Sequence, residues 1–116
     1  MTIQRIQVGQ RMSQAVVHGD TVYLAGQVAQ GAPGAPVAEQ TRDILTRIEA
    51  LLAEVGSDKT KLLTATIWLT DMDSFAEMNG VWDAWVPEGQ APARACVESR
   101  LAAPQFTVEI GIIAGR

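Results

Sequence analysis

Leu62-Leu63-Thr64-Ala65-Thr66-Ile67-Trp68-Leu69 is a continuous run of large apolar and β-branched residues, and its reading decides the fold. Eight residues is strand length, and β-branched and aromatic side chains suit a pleated surface better than a helix. A run apolar on both faces belongs inside a sheet. Upstream, from about Val37 to Val55, the period becomes helical. Ile44, Leu45, Ile48, Leu51, Leu52 and Val55 share one face, while Arg42, Asp43, Arg47, Glu49 and Glu54 take the other. Gly56 ends the helix as a C-terminal cap residue does. Downstream, Asp71 or Asp73 caps a second helix whose face is Phe75, Met78, Trp82, Trp85 and Val86, and Pro87 stops it.

The ends of the chain read as strands. Thr2 to Val8 alternates loosely, and Ser13 to Val17 and Thr21 to Ala25 flank His18-Gly19-Asp20 as a hairpin. Gly26-Gln27 and the patch Gly31-Ala32-Pro33-Gly34-Ala35-Pro36 break the pattern. Two closing strands run from Ala93 to Val97 and from Phe106 to Ala114. The expected order is β-β-β-α-β-α-β-β, a single α+β domain over residues 1–116. Its mixed sheet carries both helices on one face. The bare face of such a sheet is apolar enough to predict contact with another subunit.

Composition excludes several classes. With 9 Lys and Arg against 13 Asp and Glu, the net charge is −4, and the basic residues are scattered. Phosphate-backbone binding needs a basic stripe, so nucleic acid is not the expected partner. One cysteine and one histidine leave no disulfide and no zinc site. No stretch approaches the roughly 20 apolar residues that span a bilayer, and Met1-Thr2-Ile3-Gln4-Arg5 lacks a signal-peptide core. A cytoplasmic protein without membrane contact is the expectation.

The segment Pro92-Ala93-Arg94-Ala95-Cys96-Val97-Glu98 places an arginine where a strand entering the interior would carry an apolar residue. A guanidinium is always charged and keeps five donors in a rigid fork. Alternation puts Arg94, Cys96 and Glu98 on one face. In the last strand Phe106, Val108, Ile110 and Ile112 share a face, and Thr107, Glu109, Gly111 and Ile113 the other. Two readings of Arg94 follow. It pairs with Glu109 or Glu98 across the sheet, or it is a bidentate anchor for a substrate carboxylate while Glu109 holds a water. Cys96 reads as pocket wall rather than nucleophile, and His18 as a solvent-facing turn residue.

Pro92-Ala93-Arg94-Ala95-Cys96-Val97-Glu98 followed by Val108-Glu109-Ile110 resembles the C-terminal signature of the RidA (YjgF) family of reactive-intermediate imine deaminases. Ser13-Gln14-Ala15-Val16, Val22-Tyr23-Leu24-Ala25-Gly26-Gln27-Val28 and Phe75-Ala76-Glu77-Met78-Asn79 fall in the family's order. The resemblance covers essentially the whole chain. It implies a chorismate-mutase-like fold assembled as a homotrimer with active sites between subunits. It also implies cofactor-free, metal-free hydrolysis of small 2-imino and enamine acids to 2-keto acids and ammonia. Carried over, Arg94 binds the substrate carboxylate, Glu109 positions water, the backbone at Cys96 and Gly26 lines the pocket, and Asn79 lies near the cleft. The family's Gly-Pro-Tyr-type stretch is replaced by Gln10-Arg11-Met12, so Met12 stands for the pocket tyrosine. A different class, a non-catalytic trimer that senses small carboxylates such as 2-keto acids, would use the same Arg94. Ribonuclease activity, attached to some relatives, fits poorly with the acidic charge.

Overall fold

β5 (Leu62–Leu69) lies between two closing strands and organises the sheet, as its sequence predicts. The computed structural model describes all 116 residues. In chain order the other strands are β1 (Ile3–Val8), β2 (Ser13–His18), β3 (Thr21–Leu24), β4 (Gln27–Val28), β6 (Ala93–Glu98) and β7 (Val108–Gly115). The helices are α1 (Val37–Glu54) and α2 (Phe75–Trp85). The sheet order is β1-β2-β3-β7-β5-β6, with the two-residue β4 also pairing with β7. Only β5 and β6 run parallel, joined through α2. The short β4 is an addition to the expected order. Gly26 breaks the strand as read, but the chain returns to the ladder for two residues, with Gln27 opposite Ile110 and Val28 opposite Glu109.

Period and capping account for α1. Ile44, Leu45, Ile48, Leu51 and Leu52 are buried against the sheet. At its end Gly56 takes a φ of +79°, its N–H donates to Ala53 O, and the Ser57 N–H donates to Leu52 O. That is the left-handed cap which glycine reaches without steric penalty. At its start no side chain of α1 caps the helix; the Glu77 carboxylate of α2 accepts from the Ala38 N–H at 2.8 Å. A carboxylate there satisfies an orphan donor and complements the helix dipole. Buried Gln40 ties α1 to the last loop, donating to Ala35 O and Gln105 O and accepting from the Thr107 N–H. Asp71 caps a short 3₁₀ turn, Met72–Ser74, that leads into α2.

The core lies on one face of the sheet. Ala15, Val17, Val22, Ala65, Ile67, Leu69, Val108, Ile110, Ile112 and Ala114 meet the apolar faces of α1 and α2. β7 alternates strictly, its even-numbered residues buried and its odd-numbered ones partly exposed. The molecule is therefore a slab of 42 × 37 × 21 Å, two layers thick. No element of the chain covers the second sheet face, which carries Val16, Tyr23, Trp68, Val97, Ile113 and Glu109. No helix is long and apolar enough to cross a membrane.

Candidate active site

Arg94 lies on β6, which pairs with β5 alone and so forms the edge of the sheet. The parallel register sets Arg94 beside Ala65, Cys96 beside Ile67 and Glu98 beside Leu69. All three therefore face the helical layer. α2 meets them with Phe75, Asn79 and Trp82, spaced so that they share one helix face. Arg94 Nη1 donates to Asn79 Oδ1 at 2.7 Å. The guanidinium carbon stands 5.8 Å from the Phe75 ring centroid and 5.6 Å from that of Trp82. Both are cation–π distances. The sequence expectation of an arginine drawn into the interior is corrected here. Arg94 is exposed, because an edge strand leaves its outer flank open to water.

The ion-pair reading of Arg94 is also overturned. The chain's ion pairs are Arg47–Asp43 and Lys59–Glu49. Glu98 shares the face of Arg94, but its carboxylate accepts from the Met72 N–H at 2.9 Å. Glu109 lies on the other face. Opposite Arg94 is Ala65, and opposite Ala65 on β7 is Ile112, whose side chain is in the core. Glu109 is three residues from Ile112 and points away from the core. Two inter-strand steps put about 10 Å between the strands carrying Arg94 and Glu109, and three residues add about 10 Å along them. They cannot touch one small molecule within one chain.

Glu109 sits on the uncovered face between Val28 of β4 and Trp68 of β5. Its carboxylate leans onto Gly26, where an added Cβ would overlap Oε2 and lie 3.0 Å from Cδ. Glycine at that position makes the close approach possible. Neither backbone nor side chain donates to the carboxylate, and burial raises its pKa. Because the folded chain holds that proton more tightly than the unfolded one, the stability it contributes is present below the unfolded carboxylate pKa. It is lost as pH rises through the folded pKa. Glu109→Gln is therefore expected to be more stable than wild type in urea at pH 7, with the advantage fading as the pH falls toward about 4. Equal midpoints at pH 7 would contradict the burial described.

The remaining residues divide between these two places. Cys96 accompanies Arg94; burial pushes its thiol pKa up, against the pull of the Arg94 charge. A thiol so biased toward its protonated form is a weak nucleophile. Met12 and Gly26 border a cleft of about 500 Å³ with Gln7, Gln14, Gln27, Gln30 and Arg47. Gln7 there holds the left-handed φ of +52°, and its amide donates to Glu54. The structure thus gathers Arg94, Asn79 and Cys96 at one edge and sets Glu109 against Gly26 on the uncovered face, while Met12 meets Gly26 in the cleft beside α1. Phe75 and Trp82, which read as helix core or interface, form the platform beneath the guanidinium. Their spacing around Asn79 is the signal that could have shown it. No three His, Cys, Asp or Glu side chains converge as a metal site.

Comparison with known proteins resolves the ancestry of this arrangement. The family model described as Endoribonuclease L-PSP matches residues 2–115. A RutC family protein of Haemophilus influenzae is 46% identical over 98% of both chains. The RutC family protein YoaB of Escherichia coli is 45% identical, again over 98% of both chains. A crystal structure of a YjgF family member from Neisseria meningitidis superposes with a TM-score of 0.96 at 49% identity, covering 100% of this chain and 96% of that one. This chain belongs to the RidA/YjgF family. RidA/YjgF membership carries the chorismate-mutase-like fold expected from the resemblance, two helices packed on a mixed sheet. The family model and the relatives' names attach both ribonuclease and RutC descriptions to this one fold, so the site chemistry has to be argued from the residues.

Proposed function

We propose that this RidA/YjgF member hydrolyses small 2-imino and enamine acids to 2-keto acids and ammonia, in a site completed by a second copy of the chain. One observation carries the proposal. A guanidinium is fixed on three sides by Asn79, Phe75 and Trp82 and meets no internal anion, while the uncovered acid Glu109 lies on the opposite sheet face. With one edge spent on Asn79, the remaining donors of Arg94 form a fork that fits a carboxylate. The apolar open face supports burial against further copies, and a cyclic trimer joins the face of one copy to the edge of the next in every interface. In that assembly Arg94 holds the substrate carboxylate and Glu109 of the neighbouring copy holds a water.

The chemistry needs little more. Glu109 accepts a proton from water as its oxygen adds to the carbon of the protonated imine, giving a neutral carbinolamine. Glu109 then passes that proton to the nitrogen. As the C–N bond breaks, the hydroxyl oxygen forms the second C–O bond and gives its proton to Glu109, which hands it to the departing ammonia, so that a 2-keto acid and an ammonium ion leave. An enamine first takes a proton on carbon to become the imine. Orientation and a placed water supply much of the acceleration such a reaction requires. A carboxylate with a raised pKa is suited to exchanging protons nearer neutral pH than a free one.

The test is complementation between subunits. Ketoacid release is followed from an imine made in place by an amino-acid oxidase, above the uncatalysed rate. Arg94→Ala and Glu109→Gln are each expected to keep about one hundredth of wild-type activity or less. Refolded together as a random mixture, they should recover about a quarter of wild-type activity, because that share of interfaces pairs an intact Arg94 with an intact Glu109. No recovery would place both groups in one subunit's site. Binding of a 2-keto acid by wild type without any acceleration would make the protein a carboxylate sensor instead.

A further inference from the structure

We infer that Trp68 is a positioning residue for Glu109, its indole seated over Gly111 and walling off one flank of the carboxylate so that the acid leans onto Gly26. The inference rests on the reading of Glu109 as the water-holding acid.

The geometry is set by two glycines. Trp68 is the direct cross-strand partner of Glu109, and Gly111 is the diagonal one. Side chains in both positions are within reach of an aromatic ring. Gly111 has no side chain, and the Trp68 ring lies over it; an added Cβ would stand 3.3 Å from Cζ3 and 3.4 Å from Cη2. On the other flank Gly26 is equally bare, and the Glu109 carboxylate occupies that space. One gap thus takes the ring and the other takes the acid. The half-buried indole on one side and Val28 on the other keep water from Glu109 along the sheet. Trp68 takes no part in the core that the rest of β5 builds, because it points to the opposite sheet face.

Within one chain no charge competes with this effect, and in the proposed trimer the partner's Arg94, across the substrate from Glu109, is the same in wild type and in every Trp68 variant. Neither β4 (Gln27, Val28) nor β5 (Leu62–Leu69) carries an ionisable side chain, and Gly26 has none. Gly111 is the same-face neighbour on β7, and Thr107 lies just before the strand. Farther across the face lie Tyr23, which pairs with Ile113, Arg5, which pairs with Val16, and His18. Exclusion of water by the indole wall is therefore the variable that a change at Trp68 alters.

The experiment reads Glu109 directly. Chain labelled with carboxyl-¹³C glutamate is titrated by NMR, with the Glu109 resonance assigned by its loss in Glu109→Gln. Trp68→Ala is expected to lower the Glu109 midpoint toward the ordinary carboxylate range, and Trp68→Phe to keep most of the wild-type value. In the imine assay Trp68→Ala should lower kcat about tenfold with KM nearly unchanged, because the Arg94 edge is untouched. The acid limb of its pH–rate profile should move to lower pH. If Trp68→Ala does not fold, Trp68→Leu takes its place, with a midpoint expected below that of Trp68→Phe. A Glu109 midpoint equal to wild type in the folded variant overturns the inference. Wild type inactive on imines, with the midpoint shifted as expected, removes the deaminase reading and leaves the positioning of Glu109 standing.

Discussion

Arg94→Ala is expected to lower kcat/KM for imine hydrolysis by about 100-fold. Two charge-assisted hydrogen bonds to a substrate carboxylate contribute roughly 3 kcal/mol between them, which is about 100-fold in rate. Folding should be little affected, since the exposed side chain closes no ion pair and contributes one hydrogen bond, to Asn79. Arg94→Lys should not restore activity. A point-charge ammonium reproduces neither the planar stack on Phe75 and Trp82 nor the two-pronged grip on a carboxylate. The measurement is steady-state ketoacid release beside the thermal midpoint of each variant. Turnover in Arg94→Ala at the wild-type level would remove Arg94 from the site.

Gly26→Ala is expected to lower turnover by roughly 10- to 100-fold through displacement of a catalytic group, with only a small loss of stability. The added methyl overlaps the Glu109 carboxylate, but that carboxylate is the far end of a flexible side chain and can swing clear. Gly26 does not hold a left-handed φ, so alanine meets no backbone strain there. Folding tolerates the substitution while the acid loses the place from which it meets water. Wild-type turnover in a folded Gly26→Ala protein would show that Glu109 acts from a different rotamer. Gly31→Ala is the useful contrast, because its Cβ would stand 2.5 Å from Asp43 Oδ1, within the Asp43–Arg47 pair and away from Glu109.

The two variants probe opposite faces of one sheet, and under the proposed function this separation makes the assembly part of the chemistry. Val16, Tyr23, Val97 and Ile113 on the open face are apolar groups that the chain by itself does not shelter. In the proposed trimer, contact between copies both shelters that surface and brings an acid to an arginine. The separation also explains why each group is left without a protein partner of opposite charge. A guanidinium neutralised within its own chain would have little left for a substrate.

Much of the architecture is legible along the chain because its periods are local. α1 is specified by the spacing from Ile44 to Leu52 and closed at Gly56, which needs only its own backbone freedom. β7 alternates through eight residues, so Glu109 and Gly111 are assigned to one face before any partner strand is known. The Arg94 and Glu109 contexts carry the family resemblance for the same reason, each being a short contiguous segment. Other features depend on sheet order. Arg94 reads as interior because its neighbours are small and apolar, yet β6 is an edge strand, and only pairing decides that. The two-residue β4 is too short to show a period and exists because β7 offers it a ladder.

By itself, then, the order of residues determined the elements, their buried faces, and the two charged side chains, Arg94 and Glu109, that stand out from their apolar surroundings. Tertiary structure decided that these two point away from each other, because the intervening β5 relates their registers and no local pattern encodes a register between strands distant in sequence. It also decided what touches them: Phe75, Asn79 and Trp82 under the guanidinium, Gly26 and Trp68 beside the acid. Those contacts join residues far apart along the chain, so they come into being only when helix and strand pack.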